Sequence, residues 1–188
     1  MTGQTLWFIS RATGTVSLIL FTTIVVLGMV IAGRRAPHGD SATIVMGLHR
    51  WLSLGSLAFL ALHIVTAIAD GYVSVGWLST ILPFTSVYRT FWVGLGTLAV
   101  DILLAVVVTS YLRHRMPERS WKAIHWLSYA MWPFALIHGF AMGTASEPLL
   151  RWLTVLCGAA GAAAVAWRLR TTHADRERRA LVNFQEWS

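Results

Sequence analysis

The apolar stretch from Gly47 to Ile64 constrains this chain most, because it is long enough to cross a bilayer and carries a histidine near each end, His49 and His63. Ionisable side chains are costly at bilayer depth, so an intramembrane histidine indicates a functional site with a partner elsewhere. A later apolar stretch carries His125 and His138 at nearly the same separation. Both stretches also have Trp-Leu-Ser just after the first histidine. This weak repeat predicts two helices that share one task.

The composition indicates an integral membrane protein. Hydrophobic residues make up 56% of the 188 positions and charged residues only 12%, which lies outside the usual range of soluble domains. Ten Trp and four Tyr suit the aromatic belts at membrane surfaces. The net charge of +7 does not indicate a nucleic-acid partner, because the basic residues flank apolar spans. The single cysteine, Cys157, excludes disulfides and cysteine-ligated zinc or iron-sulfur sites within one chain.

The apolar pattern predicts an all-α bundle of five transmembrane helices, each near the ~20 residues that cross a bilayer core. The predicted spans cover about residues 12–32, 48–69, 91–112, 123–142 and 149–169. We expect one membrane domain over residues 1–170 and a short charged tail over residues 171–188. The longest connection, residues 70–90, has enough apolar side chains to be a re-entrant or interfacial segment.

The distribution of basic residues predicts the orientation in the membrane. Most of the 15 basic residues lie in the connections and tail on one side of the predicted membrane domain. They are Arg34, Arg35, Arg50, Arg113, Arg115, Arg119, Lys122, Arg168, Arg170, Arg176, Arg178 and Arg179. Only Arg11, Arg89 and Arg151 lie on the other side. The positive-inside rule therefore places the N-terminus outside and the tail in the cytoplasm. Spans two and four then run in parallel, from the cytoplasm outward.

Helix arithmetic gives each histidine a partner. At ~1.5 Å per residue, the step from His49 to His63 covers ~21 Å and that from His125 to His138 covers ~20 Å. Two parallel helices can therefore hold two haems stacked along the membrane normal, one between His49 and His125 and one between His63 and His138. Bis-histidine ligation leaves no open position on the iron, which favours electron transfer over ligand chemistry.

The rotation along each helix tests this pairing further. At ~100° per residue, His49 and His63 lie on one face of their helix. The 13-residue step from His125 to His138 differs from a whole number of turns by ~140°, so these two side chains would point in different directions on a straight helix. Pro133 lies between His125 and His138. We interpret it as the site of a kink that changes the rotation of the helix between the two histidines. A haem-free transition-metal transporter is an alternative, since imidazole also binds zinc and copper. Transport ligands should converge near one depth, whereas these histidines form two layers.

Several stretches resemble the ferric reductase-like transmembrane domain family, which includes the membrane portion of NADPH oxidases. These are LWFISRATGTVSLIL, GLHRWLSL, ALHIVTA and AIHWLSYAMWPFALIHG, and the likeness covers about residues 5–170. The paired-histidine spacing is its most specific part, and the stretches resemble short bacterial members that are only the haem domain. The resemblance implies that His49 and His125 hold an inner haem b, and that His63 and His138 hold an outer one.

The resemblance also implies a function and partners. The chain would transfer electrons across a bacterial plasma membrane, as an oxidoreductase or as its electron-transfer subunit. No flavin- or NAD(P)H-binding domain follows the fifth span, so the expected donor is a separate flavoprotein or a quinone. The expected acceptor is ferric iron, dioxygen or an extracytoplasmic redox protein. An alternative is a haem subunit that serves one dedicated partner reductase, as in the periplasmic methionine sulfoxide reductase system.

Haem propionates need cationic or hydrogen-bonding partners at the membrane surfaces. Arg50 and Lys122 are placed for the inner haem, and Arg11 and Arg89 for the outer one. For each, an ordinary interfacial anchor is the alternative. Phe59 and Phe134, one turn before the outer histidines, are candidates for the space between the haems, with apolar packing as the simpler interpretation.

Overall fold

The structure is a computed structural model that describes residues 3–32, 38–71, 73, 75–144 and 147–186. Within these residues the chain forms six α-helices and two short 3-10 helices, with no strand. The helices are α1 (Gly3–Ile31), α2 (Asp40–Ala69), α3 (Thr90–Tyr111), α4 (Glu118–Trp126), α5 (Ser128–Met142) and α6 (Pro148–Glu186). The predicted all-α membrane bundle is confirmed.

Four of the described helices contain segments that are long and apolar enough to cross a bilayer, namely Gln4–Ile31, Asp40–Ala69, Thr90–Tyr111 and Pro148–Thr171. The fourth predicted span is formed by α4 and α5 in succession. Many large apolar side chains are exposed on the outside of the bundle, where a bilayer and not water is their natural solvent. The chain is a multi-pass membrane protein.

The interruption in the fourth predicted span falls at Leu127, and not at Pro133, which lies inside α5. The Leu127 N–H donates to the carbonyl three residues back at 3.0 Å, which tightens the last turn of α4. The Ser128 hydroxyl donates to the carbonyl of His125 at 2.7 Å, and such side-chain bonds compete with the helical ladder. The break changes the rotation of the side chains about the helix axis between His125 and His138, so both histidines face α2.

The helices pack as two pairs. Helix α1 lies antiparallel against α2, α3 packs on α5, and α6 closes the bundle against α1 and α5. The histidine-bearing face of α2 lies opposite α4 and α5, with the histidine rings near one another at both ends. Helix α2 and the α4–α5 segment therefore run in the same direction, as the repeated motif predicts.

A buried apolar cluster fills the middle of the bundle, between the two histidine layers. Its members are Phe21, Ala99, Leu103 and Met131, with Leu57, Leu60 and Phe134 packed against it. Phe134 therefore belongs to the core, whereas Phe59 is 40% exposed. These apolar side chains offer water no hydrogen-bond partner, so the cluster separates the two histidine layers with an apolar medium.

The connection between α2 and α3 docks on the N-terminal part of α3. It contains a 3-10 helix, Trp77–Thr80, and the Thr97 hydroxyl donates to the carbonyl of Ser79 at 2.5 Å. Phe84 has a φ of 64°, and its ring lies so close to Gly94 that a Cβ there would overlap it. The connection therefore covers the end of the bundle that carries His63 and His138.

Helix α6 continues to Glu186 with no break at the predicted domain boundary after residue 170. Its Arg168 donates to the carbonyl of Ala32 at 2.8 Å, so it caps the C-terminal end of α1. Arg34 and Arg35, used in the orientation prediction, lie outside the described residues. The side chains of the tail beyond Thr171 are also outside them.

Candidate functional site

The structure brings the four histidines together in the two predicted pairs. The imidazole centres of His63 and His138, the outer pair, are 6.3 Å apart with their planes at 79°. Those of His49 and His125, the inner pair, are 6.4 Å apart with their planes at 54°. All four side chains are half-buried. The names of the pairs follow the predicted orientation in the membrane.

These separations fit one metal ion between the rings of each pair. A metal–imidazole bond is about 2 Å long, and the ring centre lies about 1.2 Å beyond the nitrogen. Two imidazoles on opposite sides of one metal therefore have centres about 6.4 Å apart, which matches both pairs. Within the described residues, no group of three or more His, Cys, Asp or Glu converges. Each pair offers two nitrogens, the number that a porphyrin iron takes in bis-histidine ligation.

Hydrogen bonds fix the tautomer of the outer pair. Nδ1 of His63 lies 2.7 Å from the carbonyl oxygen of Ser10 on α1, and Nδ1 of His138 lies 2.8 Å from that of Trp92 on α3. A carbonyl can only accept, so each Nδ1 carries the proton and each Nε2 is left with its lone pair. This is the state in which a histidine ligates a metal, with its other nitrogen oriented by the protein.

The inner pair is held less tightly. The Nδ1 atoms of His49 and His125 are buried and have no hydrogen-bond partner of ordinary geometry. The backbone of Ile24 on α1 lies near His49 without closing such a bond. The His125 ring stacks on Trp121, one turn earlier in α4, at 5.2 Å between ring centres. Packing, more than hydrogen bonding, therefore orients the inner rings.

A cavity of about 230 Å³ separates the two histidines of the outer pair. Helices α1, α2, α3 and α5 form its walls, and the α2–α3 connection contributes Ser79, Thr80 and Tyr88. Its surface is mostly apolar. Ligand sites of this kind are apolar hollows with a few placed polar groups, so the outer pair lies where a flat hydrophobic cofactor can enter between the helices.

The two outer arginines converge on the end of the helix that carries His138. The Arg11 guanidinium donates to the carbonyl of Met142 at 3.0 Å, and that of Arg89 donates to the carbonyl of Ala141 at 2.6 Å. Both bonds satisfy carbonyls that the end of α5 would leave open. Arg11 also lines the cavity, whereas Arg89 is exposed and outside the cavity lining. A role for either in holding propionates stays a prediction.

At the opposite end, Arg50 is exposed beside His49 on α2. Lys122 on α4 pairs with Glu118 at 2.5 Å, and the hydrogen bond from Lys122 lowers the pKa of the Glu118 carboxyl below its ordinary value. Both side chains of this pair are largely exposed, and exposed pairs contribute little to stability. Lys122 therefore has a partner of its own, while the proposed contact of Arg50 with an inner haem stays a prediction.

The sequence interpretation missed three glycines that lie against the histidine rings. Gly14 and Gly96 contact the rings of His63 and His138, and Gly28 lies beside that of His49. A signal was present, because Gly14 and Gly28 are separated by the same 14 residues as His49 and His63. In an antiparallel helix pair such a match places each glycine beside one histidine.

The comparison with known families matches residues 13–137 to the ferric reductase like transmembrane component. The matched segment contains His49, His63 and His125 and ends one residue before His138. No curated protein and no solved structure matches the chain. The family match covers about two thirds of the 188 residues and agrees with the helical membrane architecture. The chain belongs to the ferric reductase-like transmembrane family.

Proposed function

We propose that this chain carries electrons across a membrane through two b-type haems, the inner held by His49 and His125 and the outer by His63 and His138. The family is in general a haem-binding transmembrane domain and suggests transmembrane electron transfer. The observation that carries the proposal is the pair of ring separations, 6.3 and 6.4 Å, at two depths of one bundle. Each haem would supply reversible one-electron chemistry at its iron.

The residues of this chain would bind and orient the two haems. Nε2 of each histidine would bind the iron of one haem. The two ligands of each site would come from different helices, so each haem would be held between α2 and the α4–α5 segment. At the outer pair, the carbonyls of Ser10 and Trp92 accept hydrogen bonds from the Nδ1–H groups of His63 and His138. Such partners raise the basicity of the ligand and set its ring orientation. Two histidine ligands on each iron would leave no position for a small molecule, which favours electron transfer.

The apolar cluster between the layers excludes water and ions. A charge that moves between two sites in a dry medium meets little reorganising solvent, and a low dielectric also strengthens every local electrostatic effect. Arg11 lies at the edge of the outer cavity, with its guanidinium already oriented by the Met142 carbonyl. We propose that it balances the propionates of the outer haem, with Arg89 beside it and Arg50 serving the inner haem.

We propose a bacterial plasma membrane, with the N-terminus outside and the C-terminus in the cytoplasm. This orientation rests on the excess of basic residues in the connections and tail of one side. Electrons would then enter near His49 and His125 from a separate flavoprotein or a quinone. They would leave near His63 and His138 to ferric iron, dioxygen or an extracytoplasmic redox protein. A chain that serves one dedicated partner reductase would show slow reduction of soluble ferric chelates and fast reduction of that partner.

Electron transfer across a sealed membrane tests the proposal. The purified chain is reconstituted into liposomes that enclose ferricyanide, and dithionite is added outside. We expect the haem absorbance to show reduction and the enclosed ferricyanide to disappear faster than in protein-free liposomes, because electrons cross through the two sites. Loss of ferricyanide at the protein-free rate, with haem present in the chain, would contradict transmembrane transfer.

A further inference from the structure

Two histidines, those of the outer pair, contact the neighbouring helix through the same local arrangement. Nδ1 of His63 contacts the carbonyl of Ser10, and its ring lies against Gly14, four residues later. Nδ1 of His138 contacts the carbonyl of Trp92, and its ring lies against Gly96, again four residues later. In each case the acceptor and the glycine occupy one turn of one helix.

The geometry of an α-helix explains this spacing. The carbonyl of residue i points along the axis toward the N–H of residue i+4, and the side chain of residue i+4 covers it from the side. A glycine at i+4 removes that cover. An imidazole can then lie on the helix surface and donate a second hydrogen bond to a carbonyl that already accepts one within the helix. The glycine is therefore the condition for the Nδ1 contact.

The clearances at the outer pair leave no room for a larger residue. A Cβ built on Gly14 would lie 2.8 Å from Nδ1 and 2.9 Å from Cε1 of His63. A Cβ on Gly96 would lie 2.7 Å from Nδ1 and 2.8 Å from Cε1 of His138. All four separations are shorter than ordinary carbon contacts. Neither ring can withdraw without losing its hydrogen bond, since the carbonyl and the glycine belong to the same turn.

The inner pair has only a looser version of the arrangement. The backbone of Ile24 lies near His49, and a Cβ on Gly28, four residues later, would lie 3.6 Å from Cε1 of His49. That is an ordinary contact. The Nδ1 atoms of His49 and His125 have no hydrogen-bond partner of ordinary geometry. The Nδ1–carbonyl hydrogen bond beside a glycine is therefore formed at the outer pair and not at the inner one.

We infer that Gly14 and Gly96 are positioning residues for the outer haem: they let the Ser10 and Trp92 carbonyls accept hydrogen bonds from the Nδ1–H groups and so fix both ring planes. This inference rests on the proposed function. Nδ1–H bonds to carbonyls make the ligand more basic and so stabilise the ferric state. Loss of either bond therefore raises the midpoint potential of the outer haem, or weakens its binding, and leaves the inner haem unchanged.

The test is a redox titration of Gly14→Ala and Gly96→Ala, with haem content per chain measured in parallel. We expect each variant to shift the ferric/ferrous equilibrium of one haem by roughly tenfold, which is about 59 mV for a one-electron couple, or to lose that haem. Gly158→Ala on α6 is the control, because Gly158 is outside the lining of the outer cavity. Its added Cβ would meet the nearest atoms, two methyl carbons of Leu136, at 4.0 Å, so both haems should behave as in the unaltered chain.

A second measurement does not use the glycine variants and so covers the case in which they do not fold. The outer ring planes are near perpendicular, at 79°, and the inner ones are at 54°. Perpendicular axial imidazoles make two iron d orbitals nearly equal in energy, which moves the low-spin ferric EPR signal to higher g. We expect two signals, with the higher g belonging to the haem that is lost in His63→Ala.

Two results would overturn the inference while leaving the proposed function intact. One is a pair of haems whose potentials and occupancy are the same in Gly14→Ala, Gly96→Ala and the Gly158→Ala control. The other is an outer haem whose g value equals or lies below that of the inner one. An unaltered chain that binds no haem is a different result, because it removes the proposed function before any glycine is changed.

Discussion

Replacement of both His63 and His138 by alanine is expected to leave about one haem per chain where the unaltered protein holds about two. The outer pair supplies both axial nitrogens of its site, so the double variant keeps no protein ligand there. The inner pair lies ~21 Å away along the helices and keeps its own haem. Transfer of electrons to ferricyanide enclosed in liposomes should stop. Haem content per chain and the liposome assay measure the two effects.

A matched variant removes the same number of histidines across the pairs. His63→Ala combined with His125→Ala takes one ligand from each site, so we expect low-spin bis-histidine haem to disappear from both positions. The comparison separates the pairing from a general effect of losing two histidines. If the same-pair and cross-pair variants retain the same amount of low-spin haem, the proposed pairing is wrong.

Gly161→Ala is expected to destabilise the bundle by about 1–3 kcal/mol, the usual range for an overpacked core. A Cβ at Gly161 on α6 would overlap the ring of Trp132 on α5. That ring cannot turn away freely, because its Nε1–H donates to the hydroxyl of Thr22 on α1 at 3.0 Å. Trp132 thus links three helices at one point. Thermal unfolding of the detergent-purified protein measures the loss.

Gly158→Ala is the control for this substitution, since it lies one turn earlier on α6 and its nearest neighbours, two methyl carbons of Leu136, are 4.0 Å from the built Cβ. Alanine is favoured over glycine in a helix interior by about 1 kcal/mol, so this variant should be as stable as the unaltered chain or slightly more stable. A Gly161→Ala variant with the same stability as Gly158→Ala would show that α6 does not pack on Trp132 in this way.

Much of the bundle could be predicted because bilayer thickness and hydrophobicity act on each segment separately. The apolar runs gave the spans, and the family was recognised from His49, His63, His125 and His138 together with the residues around them. The parallel course of α2 and the α4–α5 segment followed from the succession of the spans, and it explains why the two histidine motifs repeat in the same order. These properties depend on local composition and on spacing along one helix.

The features that sequence reasoning missed depend on contacts between helices. The break at Leu127 has no glycine or proline to mark it, and it rests on a hydroxyl of Ser128 that competes for the His125 carbonyl. Pro133, the residue that seemed to mark a kink, lies within α5. The roles of Gly14 and Gly96 require the register of α1 on α2 and of α3 on α5, which no single segment encodes.

The contacts of two arginines at the outer end of the bundle also could not be predicted from the sequence. Arg11 and Arg89 could be placed near the membrane surface from the sequence, but not on the carbonyls of Met142 and Ala141. A guanidinium carries five donors, so capping the end of α5 leaves others for an anionic group. The structure thus adds a stabilising contact to the predicted role.

The measurement that tests the central claim most directly is a reduced-minus-oxidised visible spectrum of the detergent-purified chain, with haem quantified per polypeptide. About two b-type haems, both low-spin, are expected, because two histidine pairs each present two axial nitrogens at the separation that one metal ion requires. A folded protein that is colourless after expression in haem-sufficient cells would contradict the claim and make a haem-free metal-binding function the leading alternative.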